Sequence, residues 1–411
     1  MKAPERMQQG AFKACSMSLL ILLITAYATT AGAGAREQAK RIHDRIAGVP
    51  PSASVLDVME DHITDGNALE AAKLAMDDPA FYDATLKNFA APWTNEDMTP
   101  FVPLNDYTAT VIGLVRDGAD FREVLFGDVL YIGDSGLGLT SYSPSNNTHY
   151  EELEESGTPL KDALQRVNQS AFNGLPSSAT AGVITSRAAA RAFFSAGTNR
   201  AMFRFTLINH MCSDLEQVAD VSLPPDRIRQ DVSRSPGGDS RVFLNNCVGC
   251  HTGMDPMTQA FAYYDYDFDP DSDPDGALGR LVYNTVNDID PDTKSRVQAK
   301  YHINSTTFEP GYVTPDDRWD NYWRQGVNRR LGWDESLDGF GNGAKSLGKE
   351  WAYSNAFAEC QVEKVFRNVC LRPPSDSDDH NQIAAMVTSF RTKGFDLKQV
   401  FAESAVYCAG E

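Results

Sequence analysis

The chain has 411 residues and seven cysteines, and its 56 Asp and Glu against 37 Lys and Arg give a formal charge of −19. That acidity argues against nucleic acid and anionic membrane surfaces as partners, and suits a soluble protein or one that docks on a basic protein. The length predicts two domains or one large helical body.

In chain order, the first feature is an export signal. Lys2, Arg6 and Lys13 form a basic start, and Met17–Ala28 is an apolar run. Two small-residue cleavage patterns follow, Ala31-Gly32-Ala33 and Ala33-Gly34-Ala35. The run is too short to favour a membrane span, and Cys15 precedes it, so Cys15 is not placed as a lipoprotein cysteine. Residues 1–35 are therefore read as a signal peptide. The rest is expected in the bacterial periplasm or secreted, without stable membrane insertion and under oxidising conditions.

Helical signals dominate from there. They fall on Ala68–Met76, on a short segment opened by Asp78-Pro79, on Asn105–Val115, on Asp120–Phe126, on Ser186–Phe194 and on Asn199–Met211. Val129–Ile132 reads as extended. Gly133–His149, rich in Gly, Ser and Asn, reads as a loop.

The most informative stretch is Cys247-Val248-Gly249-Cys250-His251. Two thiols three positions apart with an imidazole directly after form the attachment sequence of a c-type haem. Each thiol can add to one haem vinyl group, and His251 is then held where it can bind the iron. A thioredoxin-like dithiol would need a strand before the motif, but Ser235–Ser240 is turn-rich. A zinc site would need a second close pair. The next histidine is His302 and the next cysteine Cys360. A plain disulfide between the two thiols is the remaining reading. Haem attachment occurs outside the cytoplasm in bacteria, so the export signal and the motif reinforce each other.

His251 is the expected proximal iron ligand. For the opposite face the order of candidates is His302, then Met257, then an open or water-filled position. Met254 is expected on the same side as His251, and Met257 would need a sharp turn at Asp255-Pro256. Two strong protein ligands give an electron carrier, whereas an open position permits peroxide chemistry.

Beyond the motif, Asp271, Asp273, Asp275 and Gly276 have the opening pattern of a calcium loop. Position 282 is Val282 rather than an acidic ligand, so a solvated acidic loop is the stronger reading and calcium the alternative. Trp319, Trp323, Trp333 and Trp351 lie in a Gly-rich segment and are expected to pack in a core. The carboxyl end carries three amphipathic repeats: Phe357 to Val369, Ile383 to Phe390 and Leu397 to Phe401.

Four cysteines remain for disulfides, Cys212, Cys360, Cys370 and Cys408, with three pairings open. Cys360 and Cys370 share one predicted helix, about 15 Å apart, and should not pair with each other. Cys370 with Cys408, leaving Cys212 with Cys360, is the expected pairing.

The stretch Cys247–Pro256, followed by Phe261-Ala-Tyr-Tyr264-Asp265, resembles the haem segment of planctomycete-type cytochrome c domain proteins. Weaker similarities lie at Asp120–Tyr131, Gly182–Thr185, Asn199–Asp214 and Phe357–Pro373. The usual proline-rich spacer is reduced here to Leu223-Pro224-Pro225. The resemblance implies an exported haem protein and supplies no substrate.

These readings combine into a mainly α fold. A helical amino-terminal domain over 36–234 leads to a cytochrome c-like haem segment over 235–310. A Trp/Gly-rich segment and terminal helical bundle then occupy 311–411. The function expected is electron transfer through one covalent haem c, with a redox partner protein of basic character and no nucleic acid. The alternatives are a peroxidase-like haem enzyme, or a binding or assembly protein whose haem is structural.

Overall fold

The computed structural model describes residues 33–410. The export signal read over residues 1–35 lies outside the described residues, except for its last three positions.

The fold is mainly helical, and three two-stranded antiparallel sheets are its β structure among the described residues. Helices Ala35–Ala47, Ala53–Thr64 and Ala68–Ala75 pack on one another, and the first and third also pack against the carboxy-terminal Leu397–Cys408. Leu397–Cys408 also packs on Asn355–Cys370 and Ser377–Thr392. The terminal helical bundle is therefore completed by the start of the chain. Arg41 reaches the Ala409 carbonyl and Arg45 the Cys370 carbonyl across this seam.

Local chemistry explains where these helices begin. Ser52, Asn105, Ser186 and Ser354 each accept a backbone N–H from the first turn of the helix that follows. Asp376 and Asp396 do the same for the last two helices. Burial then fixes the packing. The Asp106–Arg116 helix is buried from Asp106 to Val115 and lies at the centre of the molecule. Asp106 is fully buried because its oxygens accept the N–H groups of Arg187, at 2.5 Å, and Ala188, at 3.0 Å. That contact ties the central helix to Arg187–Phe193.

The main core is one cluster running from Ala39 to Ala409, with no buried residue from 224–253 or 282–318. Trp319, Trp323 and Trp351 are buried in it, as the sequence suggested, while Trp333 is half-buried against it. The predicted extended segment at Val129–Ile132 is the strand Leu130–Gly133, paired with Leu164–Val167. The segment read as a loop to His149 ends earlier, because a helix begins at Thr148.

The aromatic stretch after the motif forms the strand Tyr264–Asp267, paired with Arg280–Tyr283. The acidic residues form the loop that closes this hairpin. Both pairings expected for the four cysteines are present: Cys212–Cys360, and Cys370–Cys408. Cys360 and Cys370 lie on one helix, Asn355–Cys370, as expected.

Candidate functional site

Cys247 closes a π-helical turn, Phe243–Cys247, and is the residue from which helix Val248–Thr258 starts. The backbone before it is helical from Ser240. The dithiol thus lies within helical backbone, with no strand leading into it, unlike the strand-to-helix junction of a redox dithiol. Cys247 and Cys250 are both free and half-buried, while the other four described cysteines are paired.

Two walls flank this helix. On one side runs 214–222. The Cys250 thiol donates to the Leu215 carbonyl at 3.5 Å, and the Asp220 N–H to the Gly249 carbonyl at 2.9 Å. Thr252 Oγ1 donates to the Asp220 carbonyl at 2.8 Å. A β-carbon at Gly249 would lie 3.3 Å from Ala219 and from Val221, so glycine allows this segment to lie close. Burial pushes the Cys250 thiol up, and the Glu216 and Asp214 carboxylates add to that. A thiol kept protonated is a weak nucleophile.

On the other side, Ile228, Val232 and Phe243 form a small apolar cluster against Cys247 and Val248. The 299–312 segment joins this wall. Tyr301 donates to the Thr258 carbonyl at 3.0 Å, and the Phe308 N–H to the Gln230 carbonyl at 2.9 Å. Arg234 stacks over both Phe243 and Phe308.

His251 is held from below. Its Nδ1 lies 3.1 Å from Asp255 Oδ1, one helical turn on. Asp255 is fully buried. It also accepts from Arg200 Nε at 2.9 Å, from a terminal Arg200 nitrogen at 3.1 Å, and from the Arg229 backbone N–H at 3.3 Å. Burial alone would push the Asp255 carboxyl up. The Arg200 guanidinium and then the His251 ring outweigh this, and hold it well below the usual carboxylate range. Asp255 is therefore an acceptor, and His251 Nδ1–H is the donor. That assignment leaves the Nε2 lone pair available to a ligand.

These residues fit a haem c. Two unpaired thiols and an imidazole with its Nε2 available lie within five positions of one stretch of helical backbone. The surface beside them is apolar and exposed: Val221 is 71 % exposed, Leu244 58 % and Val242 38 %. Exposed aliphatic groups beside two thiols are the surroundings an apolar porphyrin needs. Among the described residues no group of three or more His, Cys, Asp or Glu side chains is arranged to hold a bare metal ion. An iron held by a porphyrin needs only one or two protein ligands.

The other residues singled out by sequence lie apart. Helix Val248–Thr258 continues through Asp255-Pro256 without the turn that would redirect Met257, and Met257 is fully buried in the main core. His302 ends a short 3₁₀ turn on the 299–312 segment, and its Nε2 lies 3.4 Å from the Thr314 carbonyl. Asp273 accepts the Ala277 and Leu278 N–H groups, one on each oxygen, both at 2.7 Å. Asp271 and Asp275 lie exposed in the same hairpin loop, where Asp275 offers its carbonyl to Arg191. Cys247, Cys250 and His251 share one stretch of helical backbone, Met257 is packed in the main core, and Asp271, Asp273 and Asp275 lie in the hairpin loop.

Sequence reasoning did not assign a role to Asp255, Arg200, Asp231 or Arg229. The His251–Asp255 spacing of four was a usable signal on a helix. Arg200 lies 55 positions before Asp255, and no local pattern announces it.

No protein-family model, curated protein or solved structure matches the chain.

Proposed function

We propose that the protein is an exported c-type cytochrome that transfers electrons through one covalent haem. The observation that carries this reading is the set of side chains on one helix. Cys247 and Cys250 are unpaired, and His251 keeps Nε2 available because Nδ1 is bound to Asp255. Cys247 and Cys250 would hold the group by thioethers, each S–H adding across one vinyl group. His251 would supply the axial nitrogen. Haem iron bound there supplies one-electron exchange between ferrous and ferric states.

The chain's own residues supply the rest. Val221, Val242 and Leu244 cover apolar surface at the protein's edge, where electrons can pass to a partner. Asp214 and Glu216 beside Cys250 suit a basic redox partner. Periplasmic or secreted location and the absence of nucleic-acid partners belong to the same proposal.

The test is expression in a host that attaches haem to exported proteins, followed by a pyridine haemochrome spectrum and intact mass. One haem bound through two thioethers is expected, and C247A/C250A should abolish it. Colourless protein at bare polypeptide mass overturns the reading.

A second reading, a peroxidase-like enzyme with an open sixth position, is favoured by the packing of Met257 in the core. Ready binding of carbon monoxide or cyanide by the native protein would select it.

A further inference from the structure

We infer that Asp255 is a positioning residue for His251: it fixes the ring's tautomer and makes the imidazole a stronger electron donor to whatever its Nε2 binds. The inference rests on the haem reading above.

The geometry around Asp255 is built rather than incidental. Its carboxylate is fully buried and takes four donors: His251 Nδ1, two nitrogens of Arg200 and the Arg229 backbone N–H. Arg200 in turn pairs with Asp231 through both terminal nitrogens, at 2.8 and 3.1 Å, and donates to Thr198 Oγ1 at 2.9 Å. The Arg229 side chain lies 3.6 Å from Asp231. Asp255 and Asp231 therefore both face the Arg200 guanidinium, and only Asp255 reaches His251. Facing this carboxylate, His251 Nδ1 is the ring nitrogen that carries a proton.

A carboxylate behind a metal-binding imidazole raises its basicity and fixes its orientation. On haem iron the stronger donor favours the ferric state and lowers the potential. Arg200 moderates the effect, because it shares Oδ1 with the ring.

The rival explanation is that Asp255 is only one charge in a structural cluster. Asp231 separates the two, since it carries the same charge, pairs with the same arginine and does not touch His251. The experiment is redox titration of the matured holoprotein, with D255N and D231N beside the wild type. D255N should shift the ferrous–ferric equilibrium at least tenfold toward ferrous iron, about 59 mV for one electron. D231N should shift it less than threefold. Equal shifts, or no shift in D255N, overturn the inference and leave the haem reading intact.

A second measurement does not depend on either variant folding. In the ferrous wild-type protein labelled with ¹⁵N-histidine, His251 Nδ1 should carry a proton protected from exchange with solvent. A bare or freely exchanging Nδ1 overturns the inference. Wild-type protein that carries no covalent haem removes the haem reading, and the inference with it.

Discussion

Gly253 and Trp323 claim the same space. A β-carbon on Gly253 would fall 1.9 Å from the Trp323 indole nitrogen, and Trp323 is fully buried. Gly253 lies on the helix that carries both thiols, so the packing of that helix depends on a missing side chain. Helix propensity favours alanine over glycine by about 1 kcal/mol. Overpacking a filled core costs about 1–3 kcal/mol, and here the clash is with a rigid ring. Overpacking should win, so G253A is expected to lower stability by about 1–2 kcal/mol, read as a lower denaturant midpoint. A midpoint equal to or above wild type would show that the Trp323 ring moves freely.

What the sequence made legible was local. Cys247, Cys250 and His251 stand out because the motif read there depends only on spacing within five residues. The helices near the carboxyl end are readable because Phe357, Val362, Val365 and Val369 repeat at helical spacing. Of the three amino-terminal helices that complete their bundle only Ala68–Ala75 was read, and its partners were not, because which helices meet is decided by shape across the whole chain. The strand Leu164–Val167 escaped for a similar reason. It has no alternating pattern of its own and is extended because it pairs with Leu130–Gly133. At the site, Asp255 could have been found from its place one turn after His251, whereas Arg200 and Asp231 come from other segments.

The two disulfides should contribute unequally. Cys212–Cys360 closes a separation of 148 residues and Cys370–Cys408 one of 38. Loop-closure entropy assigns about 5 kcal/mol to the first and about 4 kcal/mol to the second. The first also anchors the end of helix Arg200–Met211, which carries Arg200 and packs on the motif helix. C212S/C360S is therefore expected to lose more stability than C370S/C408S, in unfolding measured by circular dichroism. It should also disturb the redox potential more. The reverse order of stability would mean that the unfolded chain already holds the ends of the longer loop together.

Lys364 should make stability depend on pH. Its amino group donates to the Asn209 carbonyl at 2.7 Å and lies 4.2 Å from the Trp93 ring. The residue as a whole is half-buried, but no carboxylate pairs with the amino group. Burial brings its pKa down to about 7 from the ordinary 10.5. The folded state thus favours the neutral amine. That contribution is complete above pH 10.5 and diminishes as the pH falls toward about 7, because the unfolded chain binds the proton more tightly. K364M removes the titration. The stability difference, variant minus wild type, is expected to grow as the pH falls from 10 to 7 and to level off below. A difference independent of pH would show that the amine keeps its charge in the fold.

The ligand opposite His251 can be tested with two substitutions of different kinds. His302 lies on the segment that packs beside the motif through Phe308, Gln230 and Arg234. It remains the candidate for that position. H302A is expected to convert a low-spin ferric spectrum to high spin and to open the iron to cyanide. An unchanged spectrum removes His302. Met257 serves as the control, since it is buried in the main core on the same helix as His251. M257L preserves volume and should cost less than about 1.5 kcal/mol, leaving the spectrum as it was. Should M257L be the variant that turns high-spin, the helix must break at Asp255-Pro256 when the iron is bound, and the core around Met257 must open with it.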